Sequence, residues 1–202
     1  MIQPILTIML PTTICRRKTF YPLLQEVLRQ INELGMQQFV EIVIDEDEKE
    51  KSIGVKRQDL LLKANGIWVT GIDSDDWIAL TYLRDILQAL NENPNTDHVG
   101  FIEDCLIDGE QSFSIFSIKH HRWAENEDGY HHIRCANPKS VIRRTKALEV
   151  GYVDSRFGED RIFSEAVTPL LTSEVFIDKP LYFYRHISSP HNERYGIDKD
   201  NI

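Results

Sequence analysis

The segment that follows the first apolar run, PTTICRRK at 11–18, contains no glycine. Loops that cradle phosphates on backbone N–H groups depend on glycine for close approach. Its absence counts against a nucleotidyltransferase that opens on a Gly-rich loop. Cysteine is scarce as well. Cys15, Cys105 and Cys135 form an odd count with no two at metal-ligand spacing. They read as reduced thiols of a cytoplasmic protein, not as a disulfide framework or a zinc site. Positive charge is in deficit, and the net charge is −9. A general nucleic-acid binder needs a basic footprint. The islands CRRK (15–18) and IRRTK (142–146) read as solvated faces and leave open only local contact with a nucleic acid. No apolar run approaches the ~20 residues that cross a bilayer. The start, MIQPILTIMLPTT, has neither a basic lead-in nor a small-residue cleavage site, so it reads as a first strand.

What is present is ordinary globular material: 202 residues, 42% apolar and 27% charged. That composition suits a single domain with a real core. The alternation begins at once. PILTIML (4–10) predicts a strand that stops at Pro11, and TFYPLLQEVLRQINELG predicts a helix with Phe20, Leu23, Leu24, Val27, Leu28, Ile31 and Leu34 on one face. FVEIVI (39–44) is a second strand and SIGVKRQDLLLKANG a second helix, capped by Ser52 and stopped by Gly66. IWVTGI (67–72) is a third strand, and IALTYLRDILQAL a third helix with Leu80, Leu83, Ile86, Leu87 and Leu90 inward. Strand–helix alternation with short connections implies parallel strands and right-handed crossovers, hence a three-layer α/β sheet. Ligands bind such sheets beyond the carboxyl ends of the strands. Asp45 and Asp73, each just past a strand, are therefore expected at one crevice.

The second half is less regular. HVGFIEDCLID and SFSIFSIKHH predict two strands joined by DGEQ, followed by a polar, His-rich loop over 120–137. KSVIRR predicts a short strand, TKALEVG and GEDRIFSEAVTPL two helices, and EVFID and LYFYRH two closing strands. One domain over 4–191 and a polar tail over 192–202 account for the chain.

Five stretches are candidates for chemistry. In GIDSDDW, Asp73 and Asp75 stand one residue apart at a strand end. Like charges that close call for a cation among them, and hard oxygen ligands suit Mg²⁺ or Mn²⁺ bridging to a diphosphate. Asp45 can accept a hydrogen bond from a nucleotide base, whereas Glu46, Asp47 and Glu48 read as solvated loop charges. Lys56 and Arg57 lie on the helix beside the crevice, where cations meet a nucleotide or its phosphates. Glu159 and Asp160 open a helix after Gly158, and one of them can serve as general base for an attacking hydroxyl. His186 and His191 are metal-ligand types, either of which can complete an acidic metal site.

The order strand–PTT, strand–Asp45, GVKRQDLL…ANG, GIDSDDW, NPKSVIRR, VGYVDSRFGEDRIF and YFYRH…SPH resembles the family 2 glycosyltransferases of the GT-A fold, over about residues 4 to 191. The resemblance implies a GT-A, Rossmann-like three-layer sandwich with a mixed, mainly parallel central sheet. It implies metal-dependent transfer, with inversion, of a sugar from a nucleotide-diphosphate donor to an acceptor hydroxyl. A UDP-sugar donor, Mn²⁺ or Mg²⁺ and a glycan acceptor are what it implies first; a protein or a modified DNA base ranks lower. On the same ground Thr12 would lie beside the base, Asp45 would hold it, and Lys56 would approach base or ribose. Asp73 would lie nearer the ribose and Asp75 would bind the metal, with His186 or His191 completing its shell. Asp160 would be the base and Glu159 would orient the acceptor. Two departures stand out: EDEKEK follows Asp45 where the family has an acidic residue and Gly-Ser, and HHRWAENEDGYHHIRCANP matches no acceptor class. The rivals are a sugar-phosphate nucleotidyltransferase and a non-catalytic module that binds nucleotide sugars.

Overall fold

Leu6, Ile8 and Leu10 alternate with Thr7 and Met9 along the first strand, and both sets are buried. A strand buried on both faces needs a layer on each side, and that is the architecture of the computed structural model, which describes residues 2–127 and 129–186. β1 (Leu6–Thr13) pairs in parallel with β2 (Val40–Asp47) and β3 (Trp68–Gly71). The helices α1 (Arg17–Glu33) and α2 (Ile53–Lys63) supply the crossovers, and α3 (Tyr82–Glu92) follows β3. Leu6, Ile8 and Leu10 join a core with Phe20, Leu23 and Val27 of α1 and Leu83, Ile86 and Leu90 of α3. Met9 and Val69 point the other way, onto Leu60 and Leu61 of α2 and onto the two later helices. The three layers follow.

The remaining strands are β4 (Trp77–Ile78), β5 (His98–Ile107), β6 (Glu110–Phe116), β7 (Ala124–Glu127), β8 (Tyr130–Arg134), β9 (Val141–Arg143) and β10 (Glu174–His186). Two short helices, α4 (Arg144–Val150) and α5 (Glu159–Val167), complete the fold. The sheet runs β2-β1-β3-β9-β5-β6-β8-β7, and β10 lies along β5 in parallel and pairs with β4. β9 is the antiparallel strand between β3 and β5.

Several expectations shift. β1 continues through Pro11 to Thr13. Proline is tolerated because the β3 register ends at Met9↔Gly71, so no β3 partner waits for its missing N–H. β2 runs on to Asp47, which places Asp45 within the strand. Ser52 caps α2 by accepting from Val55 N at 3.1 Å, but α2 ends at Lys63, and Gly66 serves a close approach instead: a Cβ there would stand 2.6 Å from Thr7 N. Gly35 and Gly151, both at positive φ, follow α1 and α4 as expected. The third helix begins only at Tyr82, because Trp77 and Ile78 pair with β10. Leu80, expected inside, is 72% exposed, and Leu28 on α1 is exposed too. The His-rich loop contains the hairpin β7–β8, and the two closing strands are one strand with irregularities around Pro180. All three cysteines are free, and burial pushes the Cys105 thiol up to about 12.

Candidate functional site

The D-S-D-D turn leaves β3 tightly, with Asp76 N donating to Asp73 O at 3.1 Å. Its three carboxylates point to three different cations. Arg57 of α2 donates from Nη2 to Asp73 Oδ1 at 2.8 Å. Lys139 Nζ stands 3.1 Å from Asp76 Oδ2. Arg16, in the turn after β1, reaches Asp75 Oδ1 at 3.4 Å. The counter-charge that the acidic cluster demands is therefore built into the protein. Tyr182 of β10 ties the turn down: its hydroxyl donates to Asp76 Oδ2 and accepts from Asp73 N, both at 2.9 Å. Asp76 is fully buried as a side chain, while those of Asp73 and Asp75 are 23% and 19% exposed. Only the latter two present oxygens outward.

Arg57 is the joint of the site. Its Nη1 lies 3.5 Å from Glu159 Oε1, at the first turn of α5. The D-S-D-D turn and the G-E-D segment, remote in sequence, thus meet on one buried guanidinium. Burial opposes the charge on Arg57, but Asp73, Glu159 and Asp160 outweigh it and hold its pKa above the ordinary arginine value. Burial raises the Glu159 carboxyl, Arg57 opposes that rise, and Asp160 adds to it. Glu159 is 5% exposed; Asp160 is half-buried and accepts from Arg161 N at 2.8 Å. Arg57, Asp73, Lys139, Pro138, Gly71, Met9, Pro11 and Tyr152 line a small cleft. Arg57 Nη1 is buried there and has no hydrogen-bond partner among the described residues.

The other expected residues lie along β1 and β2. Asp45 is 6% exposed and accepts from Lys51 Nζ at 2.8 Å, a lysine shared with Asp59. Thr12 is 2% exposed, and its carbonyl accepts from Lys56 Nζ. Lys56 also pairs with Asp47. Asp47 is thus not a solvated charge, since it holds a buried lysine, whereas Glu46 is exposed as expected and pairs with Arg17 at 2.7 Å. His186 ends β10, with its ring stacked on Tyr184 at 6.1 Å between centroids. His191 lies outside the described residues. Lys139, Asp76, Tyr182 and Tyr152 had no expected role. The one available signal for Lys139 was its place in NPKS, directly before a strand.

Two oxygens, from Asp73 and Asp75, fit a hard divalent cation that takes most of its ligands from a diphosphate and water. They do not fit a site built from protein groups alone. Among the described residues no cluster of three or more His, Cys, Asp or Glu is arranged to hold a metal. No helix among them is long and apolar enough to cross a membrane.

Strand order, the position of β9 and the two helical layers define a GT-A, Rossmann-like three-layer fold. No family model and no curated protein matches the chain. Solved structures do. S. aureus TarS 1-349 in complex with UDP-GlcNAc is 14% identical with a TM-score of 0.64, over 94% of this chain and 60% of that one. TarS 1-349 in complex with UDP gives 14% and 0.61, over 94% and 62%. TarS 1-349 by itself gives 14% and 0.61, over 90% and 60%. The chain therefore spans about 60% of the length of these structures.

Proposed function

We propose that the protein is a glycosyltransferase that takes its sugar from a nucleotide-diphosphate donor, with UDP as the nucleotide. The observation that supports this most is the line Asp73–Arg57–Glu159, which joins the strand-end carboxylates to the α5 acids across one cleft. The likeness in fold to structures that hold UDP-GlcNAc and UDP favours the uracil nucleotide. One end of the donor seats in this cleft, and the rest lies along the strand ends.

Roles follow from exposure and chemistry. Asp75, with Asp73 beside it, is assigned to Mn²⁺ or Mg²⁺, and His186 or His191 to the third protein ligand. A bound cation there would supply positive charge to the leaving diphosphate. Thr12 and Asp45 border the base; Lys56 shapes that border from within, since it is 3% exposed. Arg57 fixes Asp73 and sets its positive charge beside the donor's phosphates. Asp160 removes the proton from the acceptor hydroxyl. The acceptor oxygen then bonds to the anomeric carbon as the bond from that carbon to the diphosphate oxygen breaks on the opposite face, which inverts the centre. Glu159, buried against Arg57, helps orient the acceptor. The acceptor is a glycan or another hydroxyl compound.

The deciding experiment is titration of UDP-sugars with and without Mn²⁺, followed by a hydrolysis assay. Binding that needs Mn²⁺ and slow donor hydrolysis are expected. Asp160→Asn should bind donor like the wild type and lose roughly 10²–10⁴-fold in transfer. Binding without turnover by the wild type would favour a non-catalytic module, and loss of donor affinity in Asp160→Asn would reassign that residue.

A further inference from the structure

Lys139 faces the same cleft as Arg57 and is placed by unusual care. It belongs to the turn Asn137–Ser140, between the β7–β8 hairpin and β9. Gly71 N donates to the Pro138 carbonyl at 2.7 Å, and Thr70 Oγ1 donates to the Lys139 carbonyl at 2.9 Å. Within the turn, Lys139 N donates to Asn137 Oδ1 at 3.0 Å and Ser140 N to Asn137 O at 2.8 Å.

Beneath the turn is a polar line in the core. His98 is wholly buried, with Nε2 2.7 Å from Ser140 Oγ and Nδ1 2.8 Å from Glu174 Oε2. Glu174 also accepts from Ser117 Oγ and Ile118 N, both at 2.7 Å. Burial pushes the Glu174 carboxyl up, but these donors and His98 hold it below the usual glutamate range. The order Ser–His–Glu has the composition of a nucleophilic triad, yet Ser140 is 0% exposed and no substrate reaches it. A fully satisfied buried network rigidifies what it touches. Here it touches the base of the turn that presents Lys139.

The lysine in turn grips the acidic turn. Its Nζ lies 3.1 Å from Asp76 Oδ2 and 2.9 Å from Glu103 Oε1, and 4.7 and 4.4 Å from the rings of Tyr182 and Tyr184. Asp76 and Tyr182 then hold Asp73 through its backbone N–H.

We propose that Lys139 is a positioning residue for donor recognition. It fixes Asp76 and Tyr182 so that Asp73 keeps its place on the cleft with Asp75 beside it, and the His98–Ser140 contact sets where the lysine stands. The proposal rests on the glycosyltransferase reading. Lys139→Met keeps the stem but withdraws the counter-charge from Asp76 and Glu103. Lys139→Arg keeps the charge. Ser140→Ala removes the partner of His98 Nε2 and a contact to Asn137 within the turn while keeping the lysine side chain.

The test uses the full chain and two probes: Mn²⁺ alone, read as free Mn²⁺ by electron paramagnetic resonance, and UDP titrated at fixed Mn²⁺. Residues that orient a ligand shell typically matter by roughly 10–100-fold in affinity. Lys139→Met should weaken both probes by that factor with its far-UV circular dichroism unchanged, Lys139→Arg should recover most of the loss, and Ser140→Ala should fall between Lys139→Met and wild type. In transfer, the donor KM should rise more than kcat falls, the reverse of Asp160→Asn. Wild-type affinity in a folded Lys139→Met, or in Ser140→Ala, overturns the proposal, as does a Lys139→Arg as weak as the methionine variant. If Lys139→Met does not fold, Ser140→Ala and Lys139→Arg decide by the same criteria. A wild type that binds neither probe sinks the glycosyltransferase reading itself, a result distinct from a wild type that binds and a variant that binds equally well.

Discussion

Two acidic stretches lie at the ends of β2 and β3, the parallel strands on either side of β1, and their cations come from different distances. In D-E-D-E, Asp45 pairs with Lys51, six residues on, and Asp47 accepts from Lys49 N and Lys51 N at 3.0 and 2.9 Å. Most of that stretch folds its charge back on itself: Asp47 also takes Lys56 of the following helix, and only Glu46 reaches farther in sequence, to Arg17 of α1. In D-S-D-D, Asp73 takes Arg57 from α2, Asp75 takes Arg16 from the turn after β1, and Asp76 takes Lys139 from the turn before β9. The second stretch exists only as a tertiary object. A charge cluster assembled from three remote elements is the more costly one to keep, and it borders the cleft. Asp45 belongs to both descriptions, since it lies at the strand ends yet is satisfied locally.

The comparison breaks hardest at Arg57. Arg57→Met withdraws the counter-charge from Asp73 and Glu159, both within its reach and largely buried. Removing one partner of a buried ion pair costs about 3–5 kcal/mol, or roughly 10 °C in Tm for a chain of this size. Thermal denaturation measures it. A shift under a few degrees would mean that the D-S-D-D cluster is no more dependent on remote cations than the D-E-D-E one.

A smaller effect sharpens the α5 side. Burial, more than any other cause, raises the folded-state pKa of Glu159 above the ordinary glutamate value of 4.5. The sign is fixed by linkage. The stability tied to the protonated form is fully present below the ordinary value and is lost as pH rises through the raised folded value. Glu159→Gln cannot ionise, so its Tm should gain on that of the wild type as pH rises above the ordinary glutamate value of 4.5. A variant that loses ground over the same interval would show that Arg57 outweighs burial at this position.

The first ninety residues were legible because the periods are long and clean: β1, α1, α2 and β3 follow from alternation and helical spacing. The limits there were local. Pro11 looked like a stop because proline lacks an N–H, and only the end of the β3 register shows that none was needed. β4 is two residues long and exists by pairing with β10, so no pattern announced it. β7 and β8 are polar, with Ala124 and Ile133 as their inward anchors, too few for a period to be seen. In the site, the strand-end position of Asp73 and Asp75 and the first-turn position of Glu159 and Asp160 were readable. The cations were not, since their pairing depends on how α2 and the 137–140 turn pack against the sheet. Lys56 and Arg57 looked alike as neighbours on one helix. In the structure they part, one toward Thr12 and Asp47, the other toward Asp73 and Glu159.

The smallest effect tests the local side of the comparison. Lys51 is 38% exposed as a side chain and divides its ammonium between Asp45 and Asp59, each at 2.8 Å. Solvent screens such a pair, and double-mutant measurements on exposed ion pairs find little. Asp45 is the buried partner, so Lys51→Ala leaves a strand-end carboxylate that water can reach through the space vacated by the lysine stem. The Tm should barely move. Donor affinity is the sharper reading, because an Asp45 released from Lys51 is free to accept from the base, and binding of UDP at fixed Mn²⁺ should hold or improve slightly. A clear fall in that affinity would mean that Lys51 orients Asp45 toward the base, and the lysine would then be part of the working site instead of a local counter-charge.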